Sequence, residues 1–526
     1  MRTVESPEVF ASLRLRVARA ARSPERIAMG LVVLASVAIR IRSAWGAFVA
    51  PDEAIVLEIS AGRGPAEIWE AGASNPHPPL VYLLLAAWLR FGRGDLWVRL
   101  LPIVLTVLAL VLVRRTAGAL LGRSRSLIAV ALIAASPTLV PATTEVRPYP
   151  LLLLLAAAST EALRLSTRPS PEGRTLAALG FAALSALAVA SHYSAVFLLA
   201  GLFPWAAVRA VRNLRGAGDR LLAAAAWTVP ASAFALFWIG HISHQVSGGL
   251  AGGLLAGTYA RGLGDAGGTG PLGFLARQSW HLLGWLCGPL AAFAAVALTL
   301  GSFRLARRRG GDVLVVLAPL LAGMAAALLG KYPYGGYRQS TFLLVPLALG
   351  VAAGIPAVLL RRRLRTAVAI GFLACGVALL APDQAPSGME RSFQRRADLD
   401  AALASIRPRE ATDRPIVLAD LSSSVLLGWY LGEPGVDYWA GGPGSSAEVA
   451  LADLRLRIGW VWAHDGDSLG RDLNTVREGA GREAPLRLFA VWPSESLARH
   501  LDPLEGPPAL GTSKRFGRGL LTATLR

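Results

Sequence analysis

The sequence predicts an α-helical polytopic membrane protein of about eleven transmembrane helices, with a small water-exposed α/β domain at its carboxyl end. Three observations predict it. Of the 526 residues, 54% are hydrophobic and only 17% are charged, against roughly 25% charged in a soluble domain of average composition. The apolar residues gather in long runs, for which water is a poor solvent. Short arginine clusters separate those runs, and they recur in every second connection.

The apolar runs lie near residues 27–46, 96–113, 127–141, 149–163, 175–190, 194–208, 221–240, 281–303, 313–330, 341–360 and 366–381. A span needs roughly 20 apolar residues, so the ends of the shorter runs are expected to move by a few residues. The amino-terminal arm carries Arg14, Arg16, Arg19, Arg22 and Arg26 ahead of the first run, and no convincing small-x-small cleavage site follows. Residues 1–26 therefore read as a cytoplasmic basic arm in front of a retained signal-anchor helix.

The arginine clusters set the expected orientation. They are Arg114, Arg115, Arg123 and Arg125; then Arg164, Arg168 and Arg174; then Arg209, Arg212, Arg215 and Arg220. Arg304, Arg307, Arg308 and Arg309 follow, and Arg361, Arg362, Arg363 and Arg365 come last. Basic connections stay on the cytoplasmic side, so the alternate connections, including the first at 47–95, are expected outside. This parity holds if 78–89, apolar but too short to span, lies at the external interface with Trp88 and Trp97 as anchors. After about residue 382 polar residues return. There 415–419 and 458–463 read as buried strands and 422–431 and 494–501 as helices. The expected division is thus 27–381 in the plasma (inner) membrane and 382–526 as an external α/β domain.

A formal net charge of +19 also suits nucleic acid, but no basic stretch alternates with exposed aromatics, so nucleic acid is set aside as a partner. Cys287 and Cys375 both lie in apolar segments and build neither a disulfide framework nor a thiolate metal cluster.

The expected external connections hold the chemistry. Pro51-Asp52-Glu53 follows the first run. Adjacent carboxylates near a membrane surface suit a general base with a partner for a cation or sugar hydroxyl, or simply a solvated turn. Arg40 and Arg42, at the external end of the first helix, suit a lipid phosphate or snorkelling to headgroups. In Asn75-Pro-His-Pro-Pro-Leu80 the prolines stiffen an extended approach to the next helix. His77 there either bonds a phosphate or sugar hydroxyl or sits in a rigid corner. Glu145-Val-Arg147-Pro-Tyr149 opens the fourth helix, where an anion is favoured, though a structural Glu–Arg pair fits equally. His192 lies at a helix junction, and Tyr337-Arg338 close the run from Lys331. The glycine-rich stretch within 241–280 lacks the strand-before, helix-after context of a dinucleotide site and reads as a mobile flap. His241, His244 and His281 lack the spacing of a zinc site.

In this order the motifs resemble the GT-C membrane glycosyltransferases, the superfamily of the protein O-mannosyltransferases and the lipid A aminoarabinose transferases. PDE, NPHPPLVYLLLAAWLRFG, SPTLVPATTEVRPYPLLLLL, SHYSAVFLLA and YPYGGYRQSTFLLVPLALG carry the resemblance, across about residues 30–360. It implies an inverting transfer of a sugar from a polyprenyl-phosphate donor, on the external face, to a lipid, glycan or protein acceptor. It puts the family's acidic position on Asp52, with Glu53 beside it as a second catalytic candidate. The substrate-binding set becomes Arg40, Arg42, His77, Glu145, Arg147, Tyr149, His192, Tyr337 and Arg338. A second acidic metal motif is missing, so no metal ligand is named, and a divalent cation is left open as a cofactor. A transporter or flippase of lipid-linked sugars is the competing reading, and a structural membrane subunit the third. Charges kept at helix ends rather than within the spans favour the enzyme over transport.

Overall fold

A computed structural model describes residues 24–73, 75, 77–136, 138–168, 170–243, 270–308, 311–356, 395–407, 415–432, 446–451, 454–459, 486–491, 511–516 and 520–525. The helices of the first part are α1 (Pro24–Ala44), α2 (Pro51–Ser60), α3 (Pro65–Ala73), α4 (Leu80–Leu89), α5 (Asp95–Leu121), α6 (Arg123–Ala135), α7 (Leu139–Ala142), α8 (Tyr149–Ser166), α9 (Arg174–Ser191), α10 (Ala195–Asn213) and α11 (Ala217–Phe237). After a π turn at Trp238–Ile242 come α12 (Gly270–Cys287), α13 (Ala291–Arg308), α14 (Leu314–Leu328) and α15 (Leu344–Gly354). Among the described residues, each expected apolar run up to 341–360 lies largely on helix. The last, 366–381, lies outside the described residues, as do the expected helix 494–501 and most of the glycine-rich stretch.

Among the described residues, six helical segments are long and apolar enough to cross a membrane. Leucine, phenylalanine and valine side chains on them remain exposed, among them Leu176, Leu221, Leu236, Val296 and Phe303. Exposed apolar surface of this extent suits lipid, and the chain is a multi-pass membrane protein. The 281–303 run is divided between α12 and α13, which a short 3-10 turn at Gly288–Leu290 joins. α15 is buried along its whole length, as a helix apolar on all sides requires. It lies so close to α13 that a Cβ on Gly354 would meet the Ala297 carbonyl oxygen at 1.7 Å. Small residues permit that approach where no hydrophobic force drives helices together.

Among the described residues, members of the arginine clusters gather at one end of the bundle. Arg304 bonds the Ala353, Gly354 and Ile355 carbonyls, Arg125 bonds Ile355 as well, and Arg174 pairs with Asp219. α8, at roughly 1.5 Å per residue, runs from Tyr149 at the opposite end to Arg164 at this one.

The expected interfacial helix is α4, and its Trp88 stacks on Trp97 at 4.8 Å. The first connection holds more order than its sequence suggested, since α2 and α3 precede α4. Pro51 occupies the first turn of α2, and the Glu53 carboxylate reaches back to the Ala50 N–H at 2.8 Å, so a helix starts directly on the acidic pair.

The carboxyl-terminal part contains α16 (Arg396–Ile406), β1 (Ile416–Asp420), α17 (Leu421–Leu431), β2 (Ser446–Leu451), β3 (Leu454–Gly459), β4 (Leu486–Val491), β5 (Gly511–Phe516) and β6 (Leu520–Leu525). They form one mixed sheet in the order β2-β3-β1-β4-β6-β5, with β1 parallel to both β3 and β4. β1 and β4 are buried throughout, as central strands covered on both faces must be. Asp420 caps α17 by accepting from the Ser423 N–H. α17 packs on α2 and on the sheet, and so lies between them.

Candidate active site

The site is built at the end of the bundle away from the arginine clusters. Three segments meet there: the start of α2, the 143–149 approach to α8, and Arg338 at the head of a 3-10 turn before α15. Asp52 is half-exposed, and Arg338 Nη2 lies 3.3 Å from its Oδ2. Arg147 donates from Nη1 to the Asp52 carbonyl at 2.8 Å and brings Nη2 to 3.8 Å from Oδ2. Arg338 Nη1 also pairs with Glu145 at 3.2 Å. One guanidinium thus bridges two carboxylates, and a second lies alongside. The Arg147 charge, against the opposing effect of burial, holds the Asp52 carboxyl below its usual range, with Arg338 contributing.

Arg338 is carried by a loop that only glycines fit. Gly335 has φ +141°, and a Cβ there would meet Gln278 at 2.3 Å. Tyr332 and Tyr334, both buried, fasten the loop through Ser340 at 2.6 Å and Ser279 at 3.0 Å. Tyr337 is 44% exposed at its outer edge.

Aromatic rings form the floor. Tyr149 lies under both guanidinium groups, 6.0 Å from Arg147 and 5.9 Å from Arg338. His77 and His192 stand beside it, with centroids 5.3 Å apart. Both imidazoles are buried. Burial first, and the Arg147 charge second, drive the pKa of His77 well down and that of His192 down to about 3. Both rings are therefore neutral at ordinary pH.

The remaining candidates sit differently. Glu53 is 1% exposed. It accepts from Arg99 at 2.6 and 3.2 Å, from the Ala50 N–H at 2.8 Å and from the Val146 N–H at 2.9 Å. Burial would raise its pKa, but Arg99 and these donors prevail and lower it. A carboxylate so enclosed ties α2 to the 145–147 segment and has no access to an acceptor. Arg40 is also fully buried, donating to Thr143 at 3.0 Å, Ser36 at 2.5 Å and the Ala134 carbonyl at 3.0 Å. That geometry holds α1 against α6 and the chain after α7, not a lipid headgroup. Arg42 is exposed.

Reading the sequence missed Arg99, Ser194 and the Asp95–Tyr430 contact. Arg99 left a signal, because a charge within an apolar run asks for a buried partner. No group of three histidine, cysteine, aspartate or glutamate side chains able to hold a metal occurs among the described residues.

Residues 76–239 match the family model of the dolichyl-phosphate-mannose-protein mannosyltransferases. The structure of ArnT from Cupriavidus metallidurans in the apo state is similar over 94% of this chain and 97% of its own, at TM-score 0.55 and 16% identity. The chain has the GT-C glycosyltransferase fold. ArnT bound to undecaprenyl phosphate is similar over the same shares, at TM-score 0.50 and 14% identity. No curated protein sequence matches the chain. With the GT-C fold, the matched segment covers α4 to α11, and so His77, Glu145, Arg147, Tyr149 and His192. Asp52 and Arg338 lie outside it.

Proposed function

We propose that this protein transfers a sugar from a polyprenyl-phosphate donor to an acceptor hydroxyl at the external membrane face, with inversion at the anomeric carbon. The observation that carries the reading is Asp52, a half-exposed carboxylate held between Arg147 and Arg338. A hydroxyl is a weak nucleophile, so a positioned carboxylate takes its proton as the new bond forms. The phosphate leaves as an anion, and guanidinium groups fixed beforehand stabilise the charge that develops.

The same arginines set the timing. In the free protein they lower the basicity of Asp52. A bound phosphate cancels part of their field, so Asp52 becomes a better base only once the donor is in place. Glu145 aligns Arg338, while Glu53 and Arg40 act in the scaffold. Residues 1–26 form the cytoplasmic arm, 27–381 the transferase domain and 382–526 an external domain, in the inner membrane. Lipid, glycan and protein acceptors all present the required hydroxyl.

The test is transfer itself. Purified protein in lipid nanodiscs is incubated with undecaprenyl-phosphate sugars and candidate acceptors, and mass spectrometry detects glycosylated product and released undecaprenyl phosphate. Asp52→Asn keeps the shape and loses the base, so turnover should fall about 10²- to 10⁴-fold with donor binding nearly intact. Wild-type turnover in Asp52→Asn would remove the assignment.

A further inference from the structure

His192 ends α9, and its extended backbone (φ −162°, ψ 131°) reverses the chain into α10. The ring is 4% exposed as a residue. Its Nδ1 accepts the Ser194 backbone N–H at 3.1 Å and lies 2.8 Å from the Ser194 hydroxyl. That hydroxyl can also donate to the Gln339 carbonyl at 3.2 Å. A backbone amide can only donate, so Nδ1 is an acceptor and the ring proton resides on Nε2. Nε2 is buried and has no hydrogen-bond partner.

A second donor shares this condition. Arg147 Nε is also buried without a partner, and Arg147 and His192 both border the Tyr149 ring. Buried donors are nearly always satisfied, so two orphans around one ring call for an acceptor from outside the chain. An oxyanion answers both. A neutral donor beside Arg147 and Arg338 adds a hydrogen bond without a third positive charge, and the lowered pKa of His192 keeps it neutral.

We propose that His192 donates a hydrogen bond from Nε2 to a non-bridging oxygen of the lipid phosphate, and that Ser194 is its positioning residue because its backbone N–H sets the tautomer. This rests on the phosphate-binding reading of Arg147 and Arg338. The groups facing the ring are His77, Tyr149 and Arg147.

The experiment measures binding of undecaprenyl phosphate to the full-length protein in nanodiscs. His192→Phe keeps a ring and loses the donor, and binding should weaken about ten- to hundredfold. His192→Gln, whose amide nitrogen falls near Nε2, should recover most of it, and His192→Asn should not. In protein labelled with ¹⁵N-histidine, the resonance that disappears in His192→Gln should report an Nε2–H tautomer, unchanged from about pH 5 to 8 and shifted by undecaprenyl phosphate. An Nδ1–H tautomer, or an imidazolium at neutral pH, overturns the inference. So does unchanged binding in His192→Phe while Arg338→Ala is impaired, which leaves the arginine reading standing. Unchanged binding in both variants overturns both.

Discussion

Glu53 and Arg99 form an ion pair 2.6 Å long, with side chains 1% and 2% exposed. The pair is the anchor beneath the site. Arg99 also donates to the Ala47 and Phe48 carbonyls at 2.8 and 2.9 Å, and Glu53 accepts from Val146. Through these bonds the chain before α2, the start of α5 and the 145–147 segment keep one relative position, and with it Asp52 keeps its place beside Arg147.

Removing one partner of a buried pair strands the other charge. Glu53→Gln should therefore destabilise the protein by about 3–5 kcal/mol, read as a fall in the thermal unfolding midpoint in detergent. Asp52→Asn, on the half-exposed neighbour, should leave that midpoint within a degree or two. Equal stability of the two variants would mean that the pair does not anchor the fold.

Arg338 touches both Asp52 and Glu145, and its fork geometry matters as much as its charge. Arg338→Ala should weaken undecaprenyl phosphate binding by about ten- to hundredfold. Arg338→Lys, which retains the charge and loses the fork, should fall between. Titrating donor into nanodisc-held protein measures both, and a lysine variant equal to wild type would reduce the role to charge alone.

The pH dependence follows from the lowered pKa of Asp52. A lowered carboxyl pKa means that the base form persists as pH falls, and is lost only below the ordinary value of about 3.9. The acid limb of kcat/KM, which reports the free enzyme, should therefore lie below that value. The limb of kcat, which reports the donor complex, should lie higher, since bound phosphate cancels the arginine field. Arg338→Gln should move the kcat/KM limb upward. A limb that does not move in this variant would remove Asp52 as the titrating base.

Tyr430 joins the carboxyl-terminal domain to the chain just before α2 and to the start of α5. Its hydroxyl donates to Asp95 at 2.6 Å and accepts from the Val49 N–H at 2.7 Å. Arg396 pairs with Asp95 at 2.9 Å from the same side. Tyr430→Phe leaves a buried amide without a partner, at a cost of about 1–3 kcal/mol. Faster hydrogen exchange at Val49 is the expected result. Unaltered exchange would show that the two parts are held together elsewhere.

Much of this was legible in the sequence. The apolar runs and the alternating arginines fixed a helical membrane protein, because hydrophobic length is a local property that lipid selects directly. The strand at Ile416–Asp420 and the helix after it were legible for the same reason, as short patterns complete in themselves. The Pro51-Asp52-Glu53, Glu145–Tyr149 and Lys331–Arg338 motifs marked the segments that now meet.

What only the tertiary structure decided is which residue of each motif faces the site. Asp52 and Glu53 are neighbours in sequence, yet on a helix successive side chains point about 100° apart. Once Pro51 starts α2, one carboxylate turns toward the open face and the other toward Arg99. Their partners lie far along the chain, Arg99 at 46 positions from Glu53 and Arg338 at 286 from Asp52. Such pairings leave no local pattern, because they arise when packed helices bring distant segments together and a buried charge must find its counter-charge there.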